Sequence, residues 1–147
     1  MNESKVEQAV AKFNSGFACS QSILSTYCDS LGLDKETALK LAEAFGGGIG
    51  GLGMTCGAVS GAIMIIALQH GRTAPDDEDA KQNTRALIRD FISKFEARNN
   101  SSVCNTLVGY DISTPIGKRA AEQQGVFDTR CPNFVKDAAE ILEEMMA

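Results

Sequence analysis

The 147-residue sequence has no tryptophan, one histidine and only three prolines. The single histidine confines imidazole chemistry to His70. No two of the five cysteines form a C-x-x-C pair. That excludes a local zinc knuckle, whose paired ligands stand two to four residues apart, and the odd count argues against a secreted disulfide framework. The longest apolar run, 62–68, is far short of the ~20 residues of a membrane-spanning helix. Lys and Arg number 14 against 19 Asp and Glu, giving a net charge of −5. They form no cluster, so the electrostatic footprint of nucleic-acid binding is missing. No paired carboxylates, Ser–His–Asp set or phosphate cradle point to a hydrolase or a transferase. The start, Met1-Asn2-Glu3-Ser4-Lys5, lacks the basic-then-apolar pattern of a signal peptide. The expectation is a cytoplasmic protein whose thiols stay reduced.

What is present is ordinary for a globular chain: 44% apolar and 22% charged residues. The length suits a single domain over 1–147. Apolar residues recur at three and four positions nearly everywhere. The sets are Val6, Ala9, Val10 and Phe13; Ile23, Leu24, Tyr27 and Leu31; Ala38, Leu41, Ala42 and Phe45; Leu87, Ile88, Phe91, Ile92 and Phe95; and Phe134, Val135, Ala138, Ile141, Leu142 and Met145. This is the period of amphipathic helices. Asp34 is placed to cap the third helix, Asp76–Asp79 put negative charge at the start of the long one, and Asn99-Asn100 can end it. No segment alternates with period two. The reading is an all-α bundle of about seven helices, with 109–130 the least legible stretch and a short helical piece near 118–124.

Six of the 14 glycines fall in 46–53, and Gly46, Gly48 and Gly51 match G-x-G-x-x-G. A dinucleotide turn requires a strand before it, and here the preceding pattern is helical. No nucleotide is therefore expected. So many glycines exceed what a plain connector needs, because each costs entropy on folding. Two readings remain level: a flexible helix–helix connector, or a backbone passing close to a packed helix or a bound group. Beyond the turn, Gly57 and Gly61 with Ala58 and Ala62 form a small-residue face that lets another helix approach closely. That partner helix is either internal or from a second copy, which would make a homodimer.

Four cysteines fall at expected helix starts. Cys19 follows Ser15-Gly16, Cys56 opens the 57–70 helix, Cys104 follows the capping pair Ser101-Ser102, and Cys131 precedes Pro132. A helix amino terminus offers free N–H groups and about half a positive charge, which favour a thiolate. Cys28 lies on the apolar stripe of the second helix and is assigned to the core. Four thiolates brought together would repel, and burial would raise their pKa values. Such a site is tenable with a metal ion or iron–sulfur cluster, or with sulfurs that pair as disulfides. His70, just before Gly71, is expected to end a helix, and the Asp76–Asp79 run to be solvated.

These residues resemble the C_GCAxxG_C_C family of redox proteins. The stretch Cys56-Gly57-Ala58-Val59-Ser60-Gly61 looks like its CGAxxG motif. Cys19 looks like the first hallmark cysteine, Cys104 and Cys131 like the last two, and Phe45-Gly46-Gly47-Gly48 like the family's turn. Ser20 stands where an alanine is expected, and Cys28 is not a hallmark position. The similarity runs over roughly 13–142. It implies a redox role, in electron transfer with an unidentified redox partner, and carries over an iron–sulfur reading. A c-type haem is not expected, since no C-x-x-C-H occurs.

The expected site is thus Cys19, Cys56, Cys104 and Cys131, as redox groups or as ligands of an iron–sulfur cluster or other metal ion. Gly46, Gly47, Gly48 and Gly57 are the backbone positions expected to approach it. A thiol–disulfide protein using the same cysteines, and a non-redox helical binding module with structural zinc, are the alternatives.

Overall fold

A computed structural model describes residues 4–146; residues 1–3, part of the segment read for a leader, and Ala147 lie outside the described residues. Among the described residues the fold is all-α. The helices are α1 (Lys5–Asn14), α2 (Cys19–Tyr27), α3 (Lys35–Glu43), α4 (Gly57–His70), α5 (Glu78–Asn99), α6 (Cys104–Val108), α7 (Pro115–Gln123), α8 (Val126–Thr129) and α9 (Cys131–Met146). Nine helices among the described residues stand against the expected seven or so; the short ones are α6, of five residues, which starts at Cys104 as expected, and α8, of four, which lies in the least legible stretch. Neither is long enough to show a period. No described helix is long and apolar enough to cross a membrane.

Several ends follow the expected chemistry. The Asp34 carboxylate accepts from the Thr37 N–H at 3.0 Å, and Asp77 accepts from Ala80 at 3.1 Å. Asn100 closes α5 in the left-handed region, with φ 67°. Asp76–Asp79 is exposed, as is His70 at the carboxyl end of α4, where its carbonyl accepts from the Thr84 hydroxyl at 2.8 Å.

The second helix ends sooner than its apolar spacing implied. α2 stops at Tyr27, and a 3-10 turn, Asp29–Leu31, follows. Gly32, with φ 82°, lets the chain reverse there, while Leu31 and Leu33 N–H groups both donate to the Cys28 carbonyl. Cys28 is therefore the cap of α2 and not a mid-helix residue. It is still wholly buried, in keeping with its assignment to the core.

α4 lies at the centre and packs on α2, α5 and α9. Ala58, Val59, Ala62 and Ile65 are fully buried along it. Against it stand Ile23 and Leu24 of α2, Phe91 and Phe95 of α5, and Val135, Ala138 and Leu142 of α9. The Phe91 and Phe95 rings stack at 6.4 Å, and Phe134 tilts against Phe95 at the same separation. Leu41 departs from the expected stripe: it is 51% exposed.

The α2–α4 contact uses the small-residue face. A Cβ at Gly61 would lie 2.9 Å from both the Ile23 Cβ and the Ser20 carbonyl oxygen. That face is filled by α2 of the same chain, so it offers no helix seat to a second copy. α2 is buried along almost its whole length although half of it is polar. Its hydroxyls and amide are matched internally: Ser20 donates to the Ala42 carbonyl at 2.7 Å, Gln21 to Leu39 at 2.9 Å and Thr26 to Ser22 at 2.7 Å. A buried polar group left unpaired would cost ~1–3 kcal/mol, and none is left so among the described residues.

Candidate functional site

Cys19 and Cys131 are the first residues of α2 and α9, and Cys56 caps α4. Cys104 is the first residue of α6. All four line one cleft of about 110 Å³. The expected gathering of these side chains is thus met in space.

Backbone holds two of them. Thr55 and Val103 form an isolated antiparallel bridge. Beside it the Cys56 N–H donates to the Ser102 carbonyl at 2.8 Å, and the Cys104 N–H donates to Met54 at 2.6 Å. The Asn105 N–H takes the Gly53 carbonyl at 3.0 Å. Serine was expected to cap α6, yet Val103 holds that position. The reason is that carbonyls of the glycine turn satisfy the first N–H groups of α6, so no side chain is required there. Ser101 instead accepts from Val103, and Ser102 donates to Glu96.

The turn achieves this with an unusual backbone. Gly47, Gly48, Ile49, Gly50 and Gly51 all have φ between 58° and 78°. Five successive residues in the left-handed region make glycine the economical choice, with Ile49 the sole side chain among them. Gly48 meets a second demand: a Cβ there would lie 2.5 Å from the Met54 nitrogen and 2.8 Å from the Cys104 Cβ. On the other side, a Cβ at Gly57 would come within 3.2 Å of the Cys19 Cβ, and one at Gly46 within 2.9 Å of the Ala18 Cβ. Of the two readings of the turn, close approach is the one observed, and what the backbone approaches is the cysteine-bearing chain. Gly47, Gly48 and Gly57 also line the cleft; Gly46 does not and acts behind it.

The remaining walls are Phe13, Leu107, Val108, Phe127 and Phe134, with Ala18. Phe13 and Phe134 belonged to the helical stripes, and nothing in the spacing marked them as cleft walls. Leu107, Val108 and Phe127 sit on the short helices that carry no readable period. No lining side chain bears a charge among the described residues. His70 is not among the lining residues, so no Cys–His pair forms at the cleft.

Helix starts alone would have lowered all four thiol pKa values. Burial reverses this at Cys56 and Cys104. It pushes Cys56 up to about 12, against an opposing pull from the Ala58 and Val59 amides, and Cys104 up to about 11. Cys19 and Cys131 are hydrogen-bond partners: the Cys19 thiol is held protonated by that bond and by burial, while the bond holds Cys131 below its ordinary value. Burial and the Asp128 carboxylate oppose that lowering. Charge on any of the other three thiols would raise Cys19 further, so the four are electrostatically one group.

All five cysteines are free thiols. An all-cysteine donor set suits zinc or an iron–sulfur cluster. The arrangement does not: among the described residues no three or more His, Cys, Asp or Glu side chains are placed to hold a metal ion.

An all-α chain that turns four thiols onto one uncharged cleft is a cysteine-centred protein, distinct from the C-x-x-C and zinc-knuckle classes. It belongs to the C_GCAxxG_C_C family, whose model, described as "Putative redox-active protein (C_GCAxxG_C_C)", matches residues 17–145. That match contains all four cleft cysteines and the glycine turn. No curated protein and no solved structure matches the chain.

Proposed function

We propose that this chain is a redox protein that carries electrons in pairs as thiol and disulfide, with Cys19 and Cys131 as the working pair. The observation that carries this reading is that Cys19 and Cys131, each at a helix start, line one cleft with the other two hallmark cysteines, where each of the two thiols shifts the other's protonation. Family membership supports the redox class. The lack of a ligand constellation for a metal ion favours sulfur chemistry over a metal centre.

The steps balance without a metal. The Cys131 thiolate attacks one sulfur of a partner disulfide, whose S–S bond breaks; one partner thiolate leaves and takes up a proton. Cys19 then gives up its proton and attacks the Cys131 sulfur of the mixed disulfide. The second partner thiol departs, and a Cys19–Cys131 disulfide remains. Two electrons have passed from the protein thiols to the partner. Cys56 and Cys104, held protonated by burial, form a slower reserve at the same cleft.

The test uses anaerobically purified full-length protein. Metal content, acid-labile sulfide and a visible spectrum are recorded, and free thiols are counted before and after a small disulfide is added. The expected result is loss of two thiols per chain, mapped by mass spectrometry to a Cys19–Cys131 link, with no stoichiometric metal. Stoichiometric iron with sulfide, or zinc, would replace this reading with a metal centre. An unchanged thiol count in metal-free protein would return it to a non-redox binding module.

A further inference from the structure

We infer that the cleft selects small, uncharged disulfides and turns away anionic ones such as glutathione disulfide. The inference rests on the thiol–disulfide reading above and names the substrate class of that site.

Size sets the first limit. The cleft measures about 110 Å³, less than the ~150 Å³ of an apolar cavity that binds benzene. Only a few heavy atoms of a partner fit beside the sulfurs. Wall chemistry sets the second. Phe13, Leu107, Val108, Phe127 and Phe134 present carbon to the entering group. A carboxylate pressed against them would lose its water and gain no partner, which costs far more than an apolar contact. Recognition of a carboxylate ordinarily uses an Arg or Lys. The one cation beside a cleft cysteine in sequence is Arg130, and its Nη1 donates to the Leu107 and Val108 carbonyls at 3.3 Å each. That nitrogen is engaged at the end of α6 and not in the cleft, whose lining does not include Arg130. The charge acting on Cys131 is instead the Asp128 carboxylate. Together with the net charge of −5, it repels an approaching anion.

Neutral substituents meet the opposite situation. A hydroxyethyl or alkyl group carries no charge to desolvate, and three phenylalanine rings offer it contact. Exchange itself is as balanced as before: two protein thiols and one disulfide give the Cys19–Cys131 disulfide and two small thiols.

The experiment compares bis(2-hydroxyethyl) disulfide with glutathione disulfide as oxidants of the reduced full chain. Each rate is divided by that of the same disulfide with free 2-mercaptoethanol, which removes intrinsic reactivity. The neutral-over-anionic ratio should be about tenfold or more larger for the protein, and should persist at high salt, where simple repulsion is screened but desolvation is not. Phe127→Arg, at the partly exposed edge of the cleft, should bring the ratio down by supplying the missing cation, with circular dichroism as the fold check. A wild-type ratio equal to that of the free thiol overturns the selectivity while leaving the redox reading intact. No oxidation by either disulfide overturns the redox reading, and this inference with it.

Discussion

The two sides of the cleft are built by different means. Cys56 and Cys104 are fixed by backbone: a single bridge, three main-chain hydrogen bonds and a left-handed glycine turn hold them. Cys19 and Cys131 are brought to the same cleft by the packing of whole helices, as the first residues of α2 and α9. The backbone-held side stays protonated because burial meets no donor strong enough to offset it. The helix-held side gains one sulfur below its ordinary pKa because the neighbouring thiol donates to it. Position at a helix amino terminus is common to all four, so it cannot be what separates them. The hydrogen-bonded neighbour is.

Altering the glycine turn should break the backbone-held side most severely. Gly48→Ala combines a left-handed φ of 73° with contacts of 2.5 and 2.8 Å, and the expected loss is ~3 kcal/mol or more. Gly50→Ala shares the conformation, but a Cβ there meets nothing within 4 Å, so only the ~1–2 kcal/mol cost of the left-handed backbone is expected. Urea midpoints of the two variants measure the difference. Equal losses would show that Gly48 does not pass Cys104 as closely as described.

Alkaline pH sharpens the same contrast. Cys56 and Cys104 titrate above the ordinary thiol value of 9.0 when folded. Their protonated forms therefore add stability that is whole below about pH 9 and is lost as pH rises toward the folded values. Each contributes a slope of up to about 1.4 kcal/mol per pH unit in that window. Cys56→Ala should flatten the fall in urea midpoint between pH 9 and 11; an unchanged fall would mean that burial does not hold the Cys56 thiol protonated.

The remaining effect is kinetic and leaves stability untouched. At neutral pH iodoacetamide should label Cys131 roughly 30-fold or more faster than Cys56, because the thiolate is the nucleophile and its larger population outweighs its lower intrinsic reactivity. Removing the donor with Cys19→Ala should narrow that gap. Mass mapping of partially labelled protein gives both rates; a gap that Cys19→Ala leaves unchanged would mean the hydrogen bond does not set Cys131's reactivity.

Much of this was legible in local signals. Helical periods, the caps at Asp34 and Asn100, and the four cysteines at helix starts depend on neighbours a few residues away. The resemblance carried by 56–61 anticipated the family. What escaped was non-local. The Thr55–Val103 bridge spans 48 positions and leaves no period, so the capping of α6 by carbonyls of the glycine turn could not be foreseen. Glycine density hinted at close approach without saying to what. Charge was misjudged at three thiols because the helix-end argument fixes the sign of one effect, while the effects that won, the Cys131 neighbour at Cys19 and burial at Cys56 and Cys104, depend on the packed surroundings. The cleft walls on α6 and α8 lie in helices too short to advertise a face.

Cys28 has a consequence apart from the cleft. It sits at the opposite end of α2 from Cys19, ~13 Å along the axis at 1.5 Å per residue, and exposes no surface. A labelling reagent reaches it only when that part of the core opens. One untouched polypeptide thus holds two clocks, a fast one that times access to the cleft and a slow one that times rupture of the interior, and a single mass spectrum reads both.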